Sequence, residues 1–186
     1  GPVYAPLWNT TIPALLEQTT NAAPDQCAAV FHSQGLQWTY QDLHDMTLNM
    51  AAGLLALGVK TGDRVGIWSP NRWEWVAMQY ATAQIGAILV SINPAYRKAE
   101  LEYALNKTEV SVLMLAEAFK SSDYIAMIAD LAPELADHES GDLALGKLPH
   151  LRHLIRMGDD RTKGMLNTHD VMSYATDALI ENAKAM

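Results

Sequence analysis

The stretch Asn93-Pro94-Ala95-Tyr96 offers a side-chain amide, a rigid turn and an aromatic hydroxyl within four residues, a set suited to gripping the polar part of a small ligand. It follows a short apolar run, Ala87 to Ile92, that reads as a buried central strand of a parallel sheet. Ligands of open α/β sheets bind outside the carboxyl ends of such strands. Asn93, Pro94 and Tyr96 are therefore the candidate ligand-binding residues, with a plain turn as the alternative. Other constellations carry less chemistry. The spacing His150-x-x-His153 could bring two imidazoles to one metal, yet no third ligand lies near and an ordinary solvated pair is expected. Gly53, Gly58, Gly62 and Gly66 do not form G-x-G-x-x-G, and the junction after Ser69 is Pro70-Asn71, which gives a pyrophosphate no close backbone approach. Neither Ser69 nor Ser91 sits in G-x-S-x-G. Trp73-Glu74-Trp75 could stack a base, but its all-round apolar helical setting reads as core. Asp63-Arg64 reads as structural, with Asp63 bonding turn amides and Arg64 covering the sheet end. The search yields no catalytic residue and no metal ligand.

The elements that must position that turn follow from local signals. Thr11 and Pro13 open a short helix ending near Asn21, and Pro24-Asp25 breaks it. Ala28 to Phe31 and Leu36 to Thr39 read as antiparallel strands joined by Ser33-Gln34-Gly35. Thr39 and Asp42 have capping-box spacing, and Leu43, Met46, Met50, Leu54 and Leu57 lay an apolar stripe along a helix that runs to Gly58. A methionine stripe could line a lipid pocket; at helical spacing it reads as core. A strand over Arg64 to Ser69 precedes a helix, Trp73 to Ile85, with Asn71 as its cap and Glu74 completing a capping box. Beyond Pro94 come a helix over Ala99 to Leu105 and a strand over Val110 to Leu115. A helix capped by Ser121 or Ser122 stops at Pro133, and a polar surface loop occupies Asp137 to Lys147. His153 to Met157 reads as the last strand, before one terminal helix capped by Asn167 or Thr168, with Val171, Ala175, Leu179 and Ala183 on one face. One hairpin and then four strands alternating with helices predict an α/β fold: a three-layer sandwich with a mainly parallel sheet, preceded by a β-hairpin.

Composition narrows the function classes. At 186 residues, 49% of them hydrophobic, the chain can form one full-sized core. A net charge of −8, from thirteen basic and twenty-one acidic residues, argues against nucleic-acid binding. Cys27 is the only cysteine, so no internal disulfide forms and a buried, inert thiol in a reducing compartment is expected. No apolar run reaches the length of a membrane span, and the N-terminus shows neither a signal-peptide nor a transit-peptide pattern. Gly1-Pro2 reads as a tag remnant. The chain accordingly divides into an N-terminal arm, 1–10, and one α/β unit, 11–186.

Several stretches fall in the order and spacing of a known family. These are Trp38-Thr39-Tyr40-Gln41-Asp42-Leu43, Leu57-Gly58-Val59-Lys60-Thr61-Gly62-Asp63-Arg64-Val65, Pro70-Asn71, Trp73-Glu74-Trp75, Gly86-Ala87, Asn93-Pro94 and Glu100-Leu101. From about Thr11 to Met157 the chain resembles the N-terminal region of AMP-forming acyl-CoA synthetases, and within them the medium-chain fatty acyl-CoA ligases. The resemblance implies a Rossmann-like half of the adenylate-forming N-terminal domain, and a parent enzyme that uses ATP, Mg²⁺ and CoA to activate a fatty acid. It also implies that the Asn93 to Tyr96 segment lies beside the channel admitting the CoA pantetheine. The family's Ser/Thr/Gly-rich phosphate loop with its lysine, its ribose-binding acidic motif and its C-terminal lysine segment are absent from these 186 residues. The expectation is thus the front part of a ligase, inactive alone and with no cofactor bound. Its parent is expected to be cytoplasmic, or in the mitochondrial matrix of a eukaryote. The alternatives are another adenylating enzyme, luciferase-like or of the peptide-synthetase type, and a non-catalytic α/β binding module. An unfinished domain is also expected to pair as a homodimer, through an apolar patch on the terminal helix or an open strand edge.

Overall fold

The structure, a computed structural model, describes residues 8–186. Gly1-Pro2, read as a tag remnant, and the arm up to residue 7 lie outside the described residues. Helix α1 (Ile12–Ala22) starts where the Thr11 hydroxyl accepts the Ala14 amide at 3.3 Å. Strands β1 (Cys27–Phe31) and β2 (Leu36–Thr39) pair antiparallel across a 3-10 turn that ends on Gly35 at φ +64°. Helix α2 (Tyr40–Ala56) is fixed by a reciprocal capping box: Thr39 Oγ1 accepts the Asp42 amide at 3.1 Å, and Asp42 accepts the Thr39 amide at 2.9 Å.

The remaining elements build the sheet. They run β3 (Arg64–Trp68), α3 (Trp73–Gln84), β4 (Ile88–Ser91), α4 (Lys98–Lys107) and β5 (Val112–Leu115), then a two-residue ribbon of β6 (Ala118–Phe119) and β7 (Ser122–Asp123). After α5 (Tyr124–Leu131) come β8 (His153–Arg156), β9 (Leu166–Asn167), α6 (Thr168–Ser173) and α7 (Asp177–Lys184). Five strands align in the order β4-β3-β5-β8-β9, every neighbouring pair parallel. Helices α2 and α3 pack together on one side, with α1, α6 and α7 against them; α4 packs on α5. The core joins Val65, Ile67, Leu113, Met114, Leu154 and Ile155 of the strands to Met50, Leu54, Met78, Leu101 and Ile128 of the helices. Each such side chain contributes about 1.5–3 kcal/mol by leaving water. A smaller core of Leu16, Trp38, Leu43 and Ala77 fastens the hairpin.

The three-layer α/β sandwich with its preceding hairpin is as expected, and the methionine stripe is core: Met50 is fully buried and Met46 half-buried. Several local expectations are corrected. The run at Ile88–Ser91 is an edge strand rather than a central one, with Ile88 51% exposed; the central strand is β5, buried at all four residues. Cys27 is exposed, because the hairpin stands apart from the main sheet and buries only one side. Asp123, not Ser121 or Ser122, caps α5 by accepting the Ala126 amide at 2.9 Å. The loop after Asp137 is anchored from within by the buried Leu143 and Leu145. His153–Arg156 is followed by one more strand, β9, whose two residues leave no periodicity to read.

The terminal segment is two helices, not one. Thr176 takes an extended conformation (φ −106°, ψ 158°), and its hydroxyl accepts the Leu179 amide to start α7 afresh. Both helices lie on α2, so Val171 and Ala183 are buried and Ala175 and Leu179 half-buried, in place of the exposed patch expected there. The approach of α6 to α2 depends on a glycine. A Cβ at Gly53 would stand 2.3 Å from the Val171 carbonyl oxygen.

Candidate functional site

The carboxyl ends of β3, β4, β5 and β8 lie at one end of the sheet, and the Asn93 to Tyr96 turn leaves β4 there. Pro94 forces extended backbone on Asn93 and steers the chain out of the sheet. Asn93 Oδ1 accepts the Ala95 amide at 2.9 Å and the Asn93 carbonyl accepts the Tyr96 amide at 3.0 Å, so the turn closes on itself. Asn93 is exposed, Pro94 and Tyr96 half-buried, with Tyr96 leaning on the main core.

Two buried aromatics hold the turn from below. Trp68, the last residue of β3, donates its indole N–H to the Asn93 carbonyl at 3.2 Å. Tyr124, the first residue of α5, donates its hydroxyl to the Pro94 carbonyl at 2.5 Å. Their rings stack, 3.6 Å between centroids and 11° between planes. Burial pushes the Tyr124 hydroxyl up to about 12, which keeps it a donor throughout the neutral range. Sequence periodicity placed Tyr124 on a helix and Trp68 in a strand. Neither carries a local signal of contact with the turn.

Beside this, a cleft of about 470 Å³ opens at the ends of β5 and β8, lined by Glu117, Lys120, Ser121, Ser122, Asp123, Ile125 and Arg156. Arg156 is nearly buried and donates to Thr162 Oγ1 at 2.8 Å and to Asp160 at 3.0 Å, closing the charged loop after β8 onto the sheet. A second groove, about 650 Å³, runs between the hairpin and the start of α3, lined by Val30, Phe31, Gln34, Arg72 and Trp75 among others.

The other sequence candidates are structural. His150 is exposed, but His153 is buried on β8 with Nε2 3.1 Å from the Leu57 carbonyl, so the two do not form the solvated pair expected. Burial holds the His153 imidazole below its ordinary value, and the Arg152 charge adds to this. Asp63 accepts the Lys60 amide at 2.9 Å and Arg64 donates to the Thr108 carbonyl at 2.9 Å, as expected for a turn and a sheet end. Trp73 packs edge-on to Trp38 with ring centroids 5.6 Å apart. The Asn71 cap does not form. The Trp73 amide instead donates to Gln34 Oε1 at 2.8 Å, and Glu74, almost fully buried, takes both an Arg72 fork and the Gln34 amide. Among the described residues, no three His, Cys, Asp or Glu side chains gather where a metal ion could be held.

Residues 16–174 match the family described as AMP-binding enzyme. Medium-chain acyl-CoA ligase ACSF2, mitochondrial, of Danio rerio is 39% identical over 167 residues, covering 90% of this chain and 27% of the relative. A solved anthranilate CoA ligase, AuaEII, in complex with anthranoyl-AMP, superposes with a TM-score of 0.73 at 22% identity, over 91% of this chain and 29% of that one. The N-terminal domain of FACL13 from Mycobacterium tuberculosis gives 0.68 at 21% identity, over 90% of this chain and 37% of that one. At these identities the two structures share the fold. The chain spans about a quarter to a third of the length of the curated relatives it matches.

Proposed function

The chain belongs to the AMP-binding enzyme family, and from that premise we propose that it is the N-terminal portion of an ATP-dependent fatty acid–CoA ligase. The observation that carries the reading is the match over residues 16–174, laid on a parallel sheet whose carboxyl end carries a braced, partly exposed turn. In the parent enzyme a fatty carboxylate oxygen attacks the α-phosphorus of ATP, and pyrophosphate leaves to give the acyl-adenylate. The CoA thiolate then attacks the acyl carbon and AMP departs, leaving the thioester. Both steps gain from positioning and from stabilising developing charge.

On this reading Asn93, Pro94 and Tyr96 border the passage that brings the pantetheine arm to the adenylate. They act in the second step and not in the first. ATP is held by residues outside this sequence, and the chain alone binds it weakly. Among the described residues no three His, Cys, Asp or Glu side chains gather, and no residue of this chain is assigned to the family's Mg²⁺. No helix of the described residues is long and apolar enough to cross a membrane. The enzyme acts in the cytoplasm, or in the mitochondrial matrix of a eukaryote; the name of the Danio rerio relative calls that protein mitochondrial. The isolated chain pairs with a second copy through the open edge of β4; light scattering showing a concentration-independent mass near 20.4 kDa would refute that pairing.

The test is the full-length enzyme with a panel of fatty acids. Acid-dependent release of pyrophosphate from ATP, followed by CoA-dependent release of AMP and formation of a thioester, is expected. Pyrophosphate release without use of CoA would make the parent another kind of adenylating enzyme. No acid-dependent release at all would leave a binding module.

A further inference from the structure

The Asn93 to Tyr96 turn stands at the edge of the sheet, where β4 has only one neighbour. A turn on an edge strand is free to rock unless something beneath it fixes its backbone. Both carbonyls that could rock, Asn93 and Pro94, are held by side chains from other elements: the Trp68 indole at 3.2 Å and the Tyr124 hydroxyl at 2.5 Å. Trp68 and Tyr124 are both completely buried, and their parallel stack makes each the wall against which the other's donor is aimed. A tilt that carried either ring off its carbonyl would also disturb its stack with the other. The side-chain amide of Asn93 is engaged within the turn, so the turn supplies its own closure and the aromatic pair supplies its orientation to the sheet.

We infer that Trp68 and Tyr124 are positioning residues for the CoA half-reaction: a stacked pair that fixes the Asn93 to Tyr96 turn in the orientation the pantetheine arm meets, without touching that arm. The inference rests on the proposed role of the turn toward CoA. Its effect belongs to the thioester step alone, because a turn that drifts lowers the fraction of enzyme presenting a formed CoA passage and leaves the adenylation site as it was.

Tyr124→Phe removes the hydroxyl and keeps the stack, so it separates orientation from packing. In the full-length enzyme, Tyr124→Phe is expected to raise the KM for CoA about three- to tenfold while acid-dependent ATP–pyrophosphate exchange is unchanged. Trp68→Phe should do the same through the Asn93 carbonyl. In the 186-residue chain, Tyr124→Phe should speed hydrogen exchange at the Ala95 and Tyr96 amides while leaving the amides of β3 and β5 protected. An unchanged KM for CoA in both variants, with Tyr96→Ala still raising it, overturns the positioning role and spares the CoA reading of the turn. Faster exchange with no effect of any variant, Tyr96→Ala included, on CoA overturns both. Equal damage to the two half-reactions overturns it too, since the pair would then be holding the domain together.

Discussion

Gln34 Oε1 accepts the backbone amide of Trp73 at 2.8 Å, so the first turn of α3 is capped from the hairpin loop and not by its own preceding residues. The same side chain turns its amide to Glu74 at 3.1 Å, joining the hairpin to the helix that follows the first strand of the sheet. Gln34→Ala is therefore expected to lower the stability of the chain by about 1–2 kcal/mol, and Asn71→Ala to be near neutral. Urea unfolding of both variants checks this; the reverse ranking would return the cap to Asn71.

Glu74 is 2% exposed, and its carboxylate accepts the Arg72 fork at 3.0 and 3.2 Å. Arg72→Leu leaves a buried carboxylate with Gln34 as its remaining donor. A loss of about 2–4 kcal/mol is expected, discounted from a fully buried pair because Arg72 still meets solvent. The double variant Arg72→Leu, Glu74→Leu should recover much of that loss. A double variant no more stable than the single would mean that packing, not charge, is at stake.

How much of this was legible in the sequence depends on how far apart the partners lie. Thr39 with Asp42, Thr11 with Ala14 and Lys60 with Asp63 are three residues apart, and their chemistry is visible in the string of residues. Gln34 meets Trp73, and Trp68 meets Tyr124, only after the chain has folded. Nothing local marks either pair. The apolar runs of β4 and β5 read alike, yet one is an edge and one the centre, because strand order is set by how helices cross the sheet and not by the strands themselves. The terminal apolar face was legible as a face. The break at Thr176, which lets two short helices both lie on α2, was not. For the candidate site, residue types and a strand end single out Asn93, Pro94 and Tyr96, although that strand is an edge and not the centre, while the aromatic pair beneath them reads as ordinary core.

Gly53→Ala tests the close approach of α6. With Val171 oxygen 2.3 Å and Val171 Cγ1 2.7 Å from the new methyl, α6 must move away from α2. A loss of roughly 2 kcal/mol or more is expected despite the better helix propensity of alanine. A melting temperature equal to or above that of the parent chain would contradict the packing of α6 on α2.

The pH dependence of stability should carry the mark of His153. Burial and the Arg152 charge lower its pKa from 6.5 in the folded chain, so between 6.5 and that lowered value the unfolded chain binds the extra proton. The stabilisation is complete above pH 6.5 and is lost as the pH falls through this window. Urea midpoints at pH 7.5 and 5.5 should therefore differ in the parent chain and differ less in His153→Asn. Equal slopes in the two would place the titration elsewhere.

The central claim is that the Asn93 to Tyr96 turn serves the CoA step of a two-step ligase, and separate assay of the two half-reactions in the full-length enzyme tests it most directly. With Tyr96→Ala, the KM for CoA is predicted to rise about tenfold while acid-dependent ATP–pyrophosphate exchange stays within about twofold of the parent enzyme. An equal loss in both half-reactions, or an unchanged KM for CoA, would contradict it.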